Sequence, residues 1–176
     1  MYCGCGSSKK STVNRGQQSI IHTSYLPFVL QWICDPHQIQ RLAKERKAKD
    51  PSHPGCVIYS VGSKGDFSFE LGMQQQVGKD VCEYHIFDVN DYTSQANQVG
   101  LGRVHFHHWG LRSQDSKSPG QQFMKLKSGY TLKGLHDIVK ELGHEHLETI
   151  DIFKIDCEGC EWTTFQDWVS PNMPRL

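Results

Sequence analysis

The chain reads as one α/β domain built on a doubly wound, mostly parallel sheet. Three observations lead there. Short β-branched and aromatic runs alternate with stretches able to form helices, which implies crossover connections and therefore parallel strands. The first clear run, residues 56–61 (CVIYSV), meets a turn broken by two glycines, Gly62-Ser63-Lys64-Gly65-Asp66, and then a helical stretch. Strand, glycine turn, helix is the unit that opens nucleotide-binding α/β domains. The later strand runs also end on suggestive side chains, where an open parallel sheet holds its ligand.

Length and composition set the frame. The 176 residues suit one domain with a short extension and can bury a sizeable core. Lys plus Arg and Asp plus Glu balance at 19 each, so no global field recruits nucleic acid or an anionic membrane. No apolar run approaches the ~18–20 residues of a membrane helix; the nearest, residues 25–34 (YLPFVLQWIC), is too short and contains Pro27. The first twenty residues are too polar for a cleavable signal peptide. Seven cysteines, an odd number without tight spacing, argue against a disulfide framework. Cys56 and Cys82 read as small apolar strand residues, and Cys157 and Cys160 as isolated thiols. Compartment is left open, since an anchor could lie outside this chain.

Taken in order, residues 1–24 form a mobile polar tail and residues 25–176 the domain. Cys3 and Cys5 alone are a weak metal signal without a second pair. Asp35 caps a helix with Pro36 at its first position and Gln38 three residues on. That helix runs through Ile39, Leu42 and Ala43 into a basic end that suits its dipole. The breaker at residues 50–55 leads into the first strand. Phe67, Phe69, Leu71, Met73 and Val77 follow the glycine turn; they alternate with period two, yet their i, i+4 pairs and Asp66 as N-cap favour helix. Residues 82–89 make the second strand, ending at Asp88, and 90–102 a loop or poorly amphipathic helix. Residues 103–108 make the third strand, closed by Trp109-Gly110. A loop at 113–120 follows; Thr131 then caps a helix with Leu132, Leu135, Ile138, Val139 and Leu142 on one face and Gly143 as its stop. The fourth strand is 149–155, followed by Asp156-Cys-Glu-Gly-Cys-Glu161 and a short helix over 162–169.

The strand ends carry the chemistry. The first ends in Gly62, Ser63 and Gly65. The second ends in Asp88, twenty-six positions after Gly62, where a carboxylate accepts ribose hydroxyls. Trp109 stands where it could stack on an adenine, although a tryptophan is more often core. Asp156 and Glu158 stand at the mouth where a reacting group would sit. Each also has a plain structural reading: a glycine turn, an Asx turn at Asp88, a buried ring. His105 and His107 share a strand face but have no matched partner in sequence for a metal, so no metal site is assigned. His144 and His146 read as exposed loop residues.

The segments CVIYSVGSKGDFSFE, HIFDVND, HHWGL and especially DIFKIDCEGCEW resemble S-adenosylmethionine-dependent methyltransferases, most closely the methyltransferase-like (type 22) domain related to the FkbM group. The resemblance covers about residues 25–176. It implies a Rossmann-like methyltransferase fold of seven strands, S-adenosylmethionine as cofactor, contacts to it from Gly62, Ser63, Gly65 and Asp88, and an acidic mouth at Asp156 and Glu158. Against that pattern the chain is C-terminally incomplete, because it stops after the helix following the fourth strand.

Methyl transfer from a sulfonium requires in-line approach at ~3–3.5 Å, so positioning does most of the work. A hydroxyl or amine acceptor, on a small molecule, glycan or protein, must also lose a proton, with Asp156 the first candidate base and Glu158 the second. Two other readings stay open: an inactive cofactor-binding module, and a metal-dependent glycosyltransferase using Asp156 and Glu158. A nicotinamide dehydrogenase is disfavoured by the missing third glycine.

Overall fold

The computed structural model of the chain describes residues 19–21, 31–113, 131–169 and 173–176. Cys3, Cys5, most of the expected tail and all but Ser113 of the 113–120 loop lie outside the described residues. Ser19–Ile21 (β1) pairs antiparallel with Gln31–Ile33 (β2). Helix α1, Pro36–Lys49, starts as expected: the Asp35 carboxylate accepts from the Gln38 N–H at 3.2 Å, and Pro36 takes the position where no N–H is needed.

Strand β3 is Cys56–Val61 and helix α2 is Ser68–Val77. Packing resolves the ambiguous period of the Phe-rich stretch. Phe69, Met73 and Val77 form one buried stripe against Ile58 and Tyr84, which only a helix allows. Asp66 accepts from the Ser68 N–H at 2.9 Å, but it stands one place before the true N-cap, Phe67. Strand β4 is Cys82–Phe87, α3 is Thr93–Gln98, and β5 is Val104–His107.

Two expectations are corrected after β5. Trp109 and Gly110 do not merely close that strand: Trp109–Leu111 (β6) pairs in parallel with Thr131–Lys133 (β7). That pairing holds Thr131 extended, so Thr131 is no helix cap. Helix α4, Leu135–Glu141, starts a turn later behind Gly134, and Gly143 at φ +69 ends it. Beyond a 3₁₀ turn at His144–His146 comes β8, Ile152–Ile155. The residues just ahead of it turn to Arg175 instead: Ile150 N–H donates to the Arg175 carbonyl at 2.9 Å. The last helical stretch divides into α5, Cys160–Thr164, and a 3₁₀ turn, Phe165–Val169.

Strands β3, β4, β5 and β8 form one parallel sheet in the order β5-β4-β3-β8, four strands among the described residues. The first three run outward on one side of β3 and β8 adds on the other, so strand order reverses between β3 and β8. Helices cover both faces, as expected for a Rossmann-like doubly wound sheet. On one, Val57, Tyr59, Val61 and Phe87 pack on Leu135, Ile138 and Val139 of α4. On the other, Ile58 and Tyr84 pack on Ala43 of α1 and on α2.

The cysteine expectation is corrected. Register sets Cys56 opposite Cys82, and the two form a disulfide between β3 and β4; Cys157 and Cys160 form a second. His144 is also corrected, for it is buried rather than exposed, with Nδ1 2.7 Å from the Tyr59 hydroxyl. It joins a belt of histidines on the α4 face, His85, His105 and His107, whose rings stack across β4 and β5. Burial, reinforced by neighbouring imidazoles, holds His107 down to about 3 and His144 to about 4, so both are uncharged near neutrality.

Helix α2 also carries a buried acid. Glu70 is fully buried, and neither of its carboxylate oxygens has a hydrogen-bond partner among the described residues. Burial raises its pKa above the ordinary 4.5, opposed by the nearby Ser60 hydroxyl and the Lys154 ammonium. An acid whose folded pKa is raised favours folding fully below its unfolded value and loses that contribution as pH climbs from there toward the folded pKa. Glu70→Gln should therefore raise stability at pH 8 by about 1–3 kcal/mol. The gain should vanish near pH 4, where the native side chain is protonated in both states. Urea unfolding at the two pH values reads this directly, and a gain that is the same at both would show that charge is not its cause.

Candidate functional site

The carboxyl ends of β3 and β8 meet at the point where strand order reverses. Gly62 leaves β3 at φ +79, and a Cβ there would stand 2.0 Å from the Asp156 carbonyl oxygen. Only glycine permits this approach of two strand tips. Its N–H donates to the Phe87 carbonyl at 2.9 Å, and Asp156 N–H donates to the Val61 carbonyl at 2.9 Å.

The turn then tightens. Lys64 and Gly65 follow at φ 51 and 77, spanned by a 2.9 Å bond from Asp66 N–H to the Ser63 carbonyl. Two central residues at positive φ mark a type I′ turn. Gly65 lies against the ring of Tyr92, which a Cβ would meet at 2.9 Å.

Asp88 leaves β4 directly beside this turn and is 5% exposed. Its Oδ2 accepts from the Lys64 N–H at 2.8 Å and from the Ser63 hydroxyl at 3.3 Å, while Oδ1 accepts from the Asn90 N–H at 2.8 Å. Gly62, Ser63, Gly65 and Asp88 are thus brought together at adjacent strand tips. Asp88 is also the clamp that holds the turn, and it forms the Asx turn its neighbours suggest.

Asp156 ends β8 with an exposed side chain that makes no hydrogen bond among the described residues. Glu158, at φ 56, reaches across to an ion pair with Lys64. Glu161 folds back on its own loop, accepting from Cys157 N–H at 2.8 Å and Gly159 N–H at 2.7 Å. The 157–160 disulfide closes the same loop. Trp109 is engaged by protein on its faces: its ring stacks on His107 with centroids 4.5 Å apart, and the Lys133 ammonium stands 3.4 Å from the ring centre.

Four contributors were not read from sequence: Lys64, Asn90, Tyr92 and Lys154, whose Nζ donates to the Gly62 carbonyl at 3.3 Å. Strand alternation could have found Lys154, since it shares a face with Ile152 and so points toward α2. Tyr92 carries no local signal, because its partner is a glycine on another loop.

One electrostatic feature decides what such a site can hold. Three N–H groups of the turn are spent internally: Lys64 on Asp88, Gly65 on the Ser63 hydroxyl at 3.3 Å, Asp66 on the Ser63 carbonyl. A phosphate needs such donors free and pointing outward. What the strand tips present instead is carboxylate: Asp88, Asp156 and Glu158.

Residues 29–176 match a family described as a methyltransferase domain. No curated protein and no solved structure matches the chain.

Proposed function

The chain belongs to this methyltransferase-domain family, and from that premise we propose that it binds S-adenosylmethionine at the β3–β8 crevice and transfers its methyl group to a hydroxyl or amine. The observation that carries the reading is the charge character of the crevice. Carboxylates at the tips of β4 and β8, beside a turn that has spent its Lys64, Gly65 and Asp66 N–H groups internally, suit a ligand with sugar hydroxyls and a positive centre. The same feature disfavours the nucleotide-sugar and dinucleotide readings, both of which bring phosphate.

The residues have distinct tasks in this reading. Asp88 accepts a ribose hydroxyl through the lone pair that Lys64, Ser63 and Asn90 leave over. Gly62, Ser63 and Gly65 shape the wall along which the cofactor lies, and Trp109 borders it. The cofactor supplies an activated methyl group; the protein positions the acceptor in line with it. Asp156, exposed and unshared, takes the acceptor's proton, with Glu158 held back by Lys64. The acceptor is a small molecule, glycan or protein. No helix among the described residues is long and apolar enough to cross a membrane.

The test is binding of S-adenosylhomocysteine by calorimetry. Micromolar binding to the wild type is expected, with Asp88→Ala weakening it by roughly 1.5–3 kcal/mol as the charge-assisted bond to the ribose disappears. Unchanged affinity in a variant that is still folded would remove Asp88 from the site. Binding that survives in Asp156→Asn while methylation of every acceptor stops would support the proton-accepting role; retained turnover would end it.

A further inference from the structure

The histidine belt on the α4 face has no part in the reading above. Across β4 and β5 it draws together Glu83, His85, His105 and His107, and the 3₁₀ turn adds His144. Glu83, His85 and His144 each offer a ligand atom, and the three atoms lie within 4.8 Å of one another. Small side-chain rotations from that spacing bring the three atoms to the ~2.0–2.2 Å that zinc takes from nitrogen and oxygen ligands. His85 and His144 are buried, and their rings are nearly perpendicular, at 87° with centroids 4.9 Å apart, so in-plane lone pairs can converge on one point.

Outer contacts orient each of the three. The Tyr59 hydroxyl holds His144 Nδ1 at 2.7 Å. His107 Nε2 holds His85 Nδ1 at 3.0 Å, which leaves His85 Nε2 facing Glu83 Oε1 at 3.1 Å. Arg103 takes the other Glu83 oxygen, Oε2, at 2.6 Å. A ligand's far atom held by a polar neighbour is the hallmark of a metal centre's outer layer. His105 behaves differently. Its Nε2 is 3.3 Å from Glu83 Oε1, but its ring stacks on His85 at 17°, so the two sets of lone pairs run side by side. It is half exposed and lies on β5, the outer strand of the described sheet, in reach of solvent.

We propose that Glu83, His85 and His144 bind one divalent zinc ion, with a water as fourth ligand on the His105 side. Two imidazoles with one carboxylate are a donor set suited to zinc, and three protein ligands plus water is an established zinc arrangement. The site is separate from the crevice: Asp88 lies five positions along the chain from Glu83, roughly 16 Å at strand rise. Its effect is to tie β4, inside the sheet, to the segment after α4. The competing outcome is that protons alone close this network, with His85 and His105 donating to Glu83.

The experiment takes the full chain, strips it with a chelator, and titrates Zn²⁺ by calorimetry and Co²⁺ by absorption. The expected result is one equivalent bound, a raised melting temperature, and a Co²⁺ spectrum without a thiolate charge-transfer band. Glu83→Gln and His144→Ala should each weaken Zn²⁺ at least tenfold, and Tyr59→Phe, which removes only the hydroxyl behind His144, about 10–100-fold. His136→Ala, at a half-buried histidine of α4 outside the cluster, should change nothing. Absence of stoichiometric binding overturns the proposal. So does a thiolate band, or affinity unmoved by Glu83→Gln in a protein whose circular dichroism matches wild type.

Discussion

Gly62→Ala is expected to cost about 4 kcal/mol or more and to abolish cofactor binding in whatever fraction still folds. Two effects add. A positive φ costs an L-residue about 1–2 kcal/mol, and the new methyl would stand 2.0 Å from the Asp156 carbonyl oxygen and 2.7 Å from its carbon. These are backbone atoms and cannot swing aside. The tips of β3 and β8 must part, which strains the Asp156–Val61 bond and moves Asp156 away from the turn. Gly100 supplies the control. It sits at φ +74 with nothing within 4 Å of its would-be Cβ, so Gly100→Ala should lose only the conformational part, about 1–2 kcal/mol. Denaturant unfolding of both variants separates the terms, and equal losses would show that the crevice yields and that close approach is not what demands glycine.

Asp151→Ala is expected to cost about 3–5 kcal/mol, the range for breaking a buried ion pair from one side. Asp151, 6% exposed in its side chain, stands just ahead of β8 and joins three elements. One oxygen accepts from Arg46 of α1 at 2.6 Å, and the other accepts from the Val57 N–H of β3 at 2.9 Å. Arg46 also donates to the Gly55 carbonyl at 2.9 Å. Truncation leaves a partly buried guanidinium and an unpaired strand N–H. Asp151→Asn keeps an acceptor for Val57 and loses only the charge, so it should fall about midway. A double-mutant cycle with Arg46→Met measures the pair itself. Additive losses would mean that the carboxylate acts only through Val57.

Much of the site was legible because its parts are local. Strand β3 needs only its run of Val, Ile and Tyr; the turn needs two glycines; Asp88 needs to end the next apolar run. The parallel order then carries these parts to one rim without any further signal. What was misread depends on partners remote in sequence. Thr131 looks like a cap until Gly110, Leu132 and the β6–β7 pairing hold it extended. His144 looks exposed in its polar context, HEH, until Tyr59 receives it. Cys56 and Cys82 look like two apolar strand residues because nothing local states the register that sets them face to face.

By itself, then, the sequence determined the doubly wound class, the strand–turn–helix unit and the carboxylates at the strand tips, since periodicity, glycine and strand ends are properties of neighbouring residues. Tertiary structure alone decided that the Lys64 N–H is consumed by Asp88, that cysteines pair across strands, and that five ionisable side chains gather on the α4 face. Those outcomes rest on register and on the lateral order of strands, which are settled only when distant apolar faces find each other and exclude water.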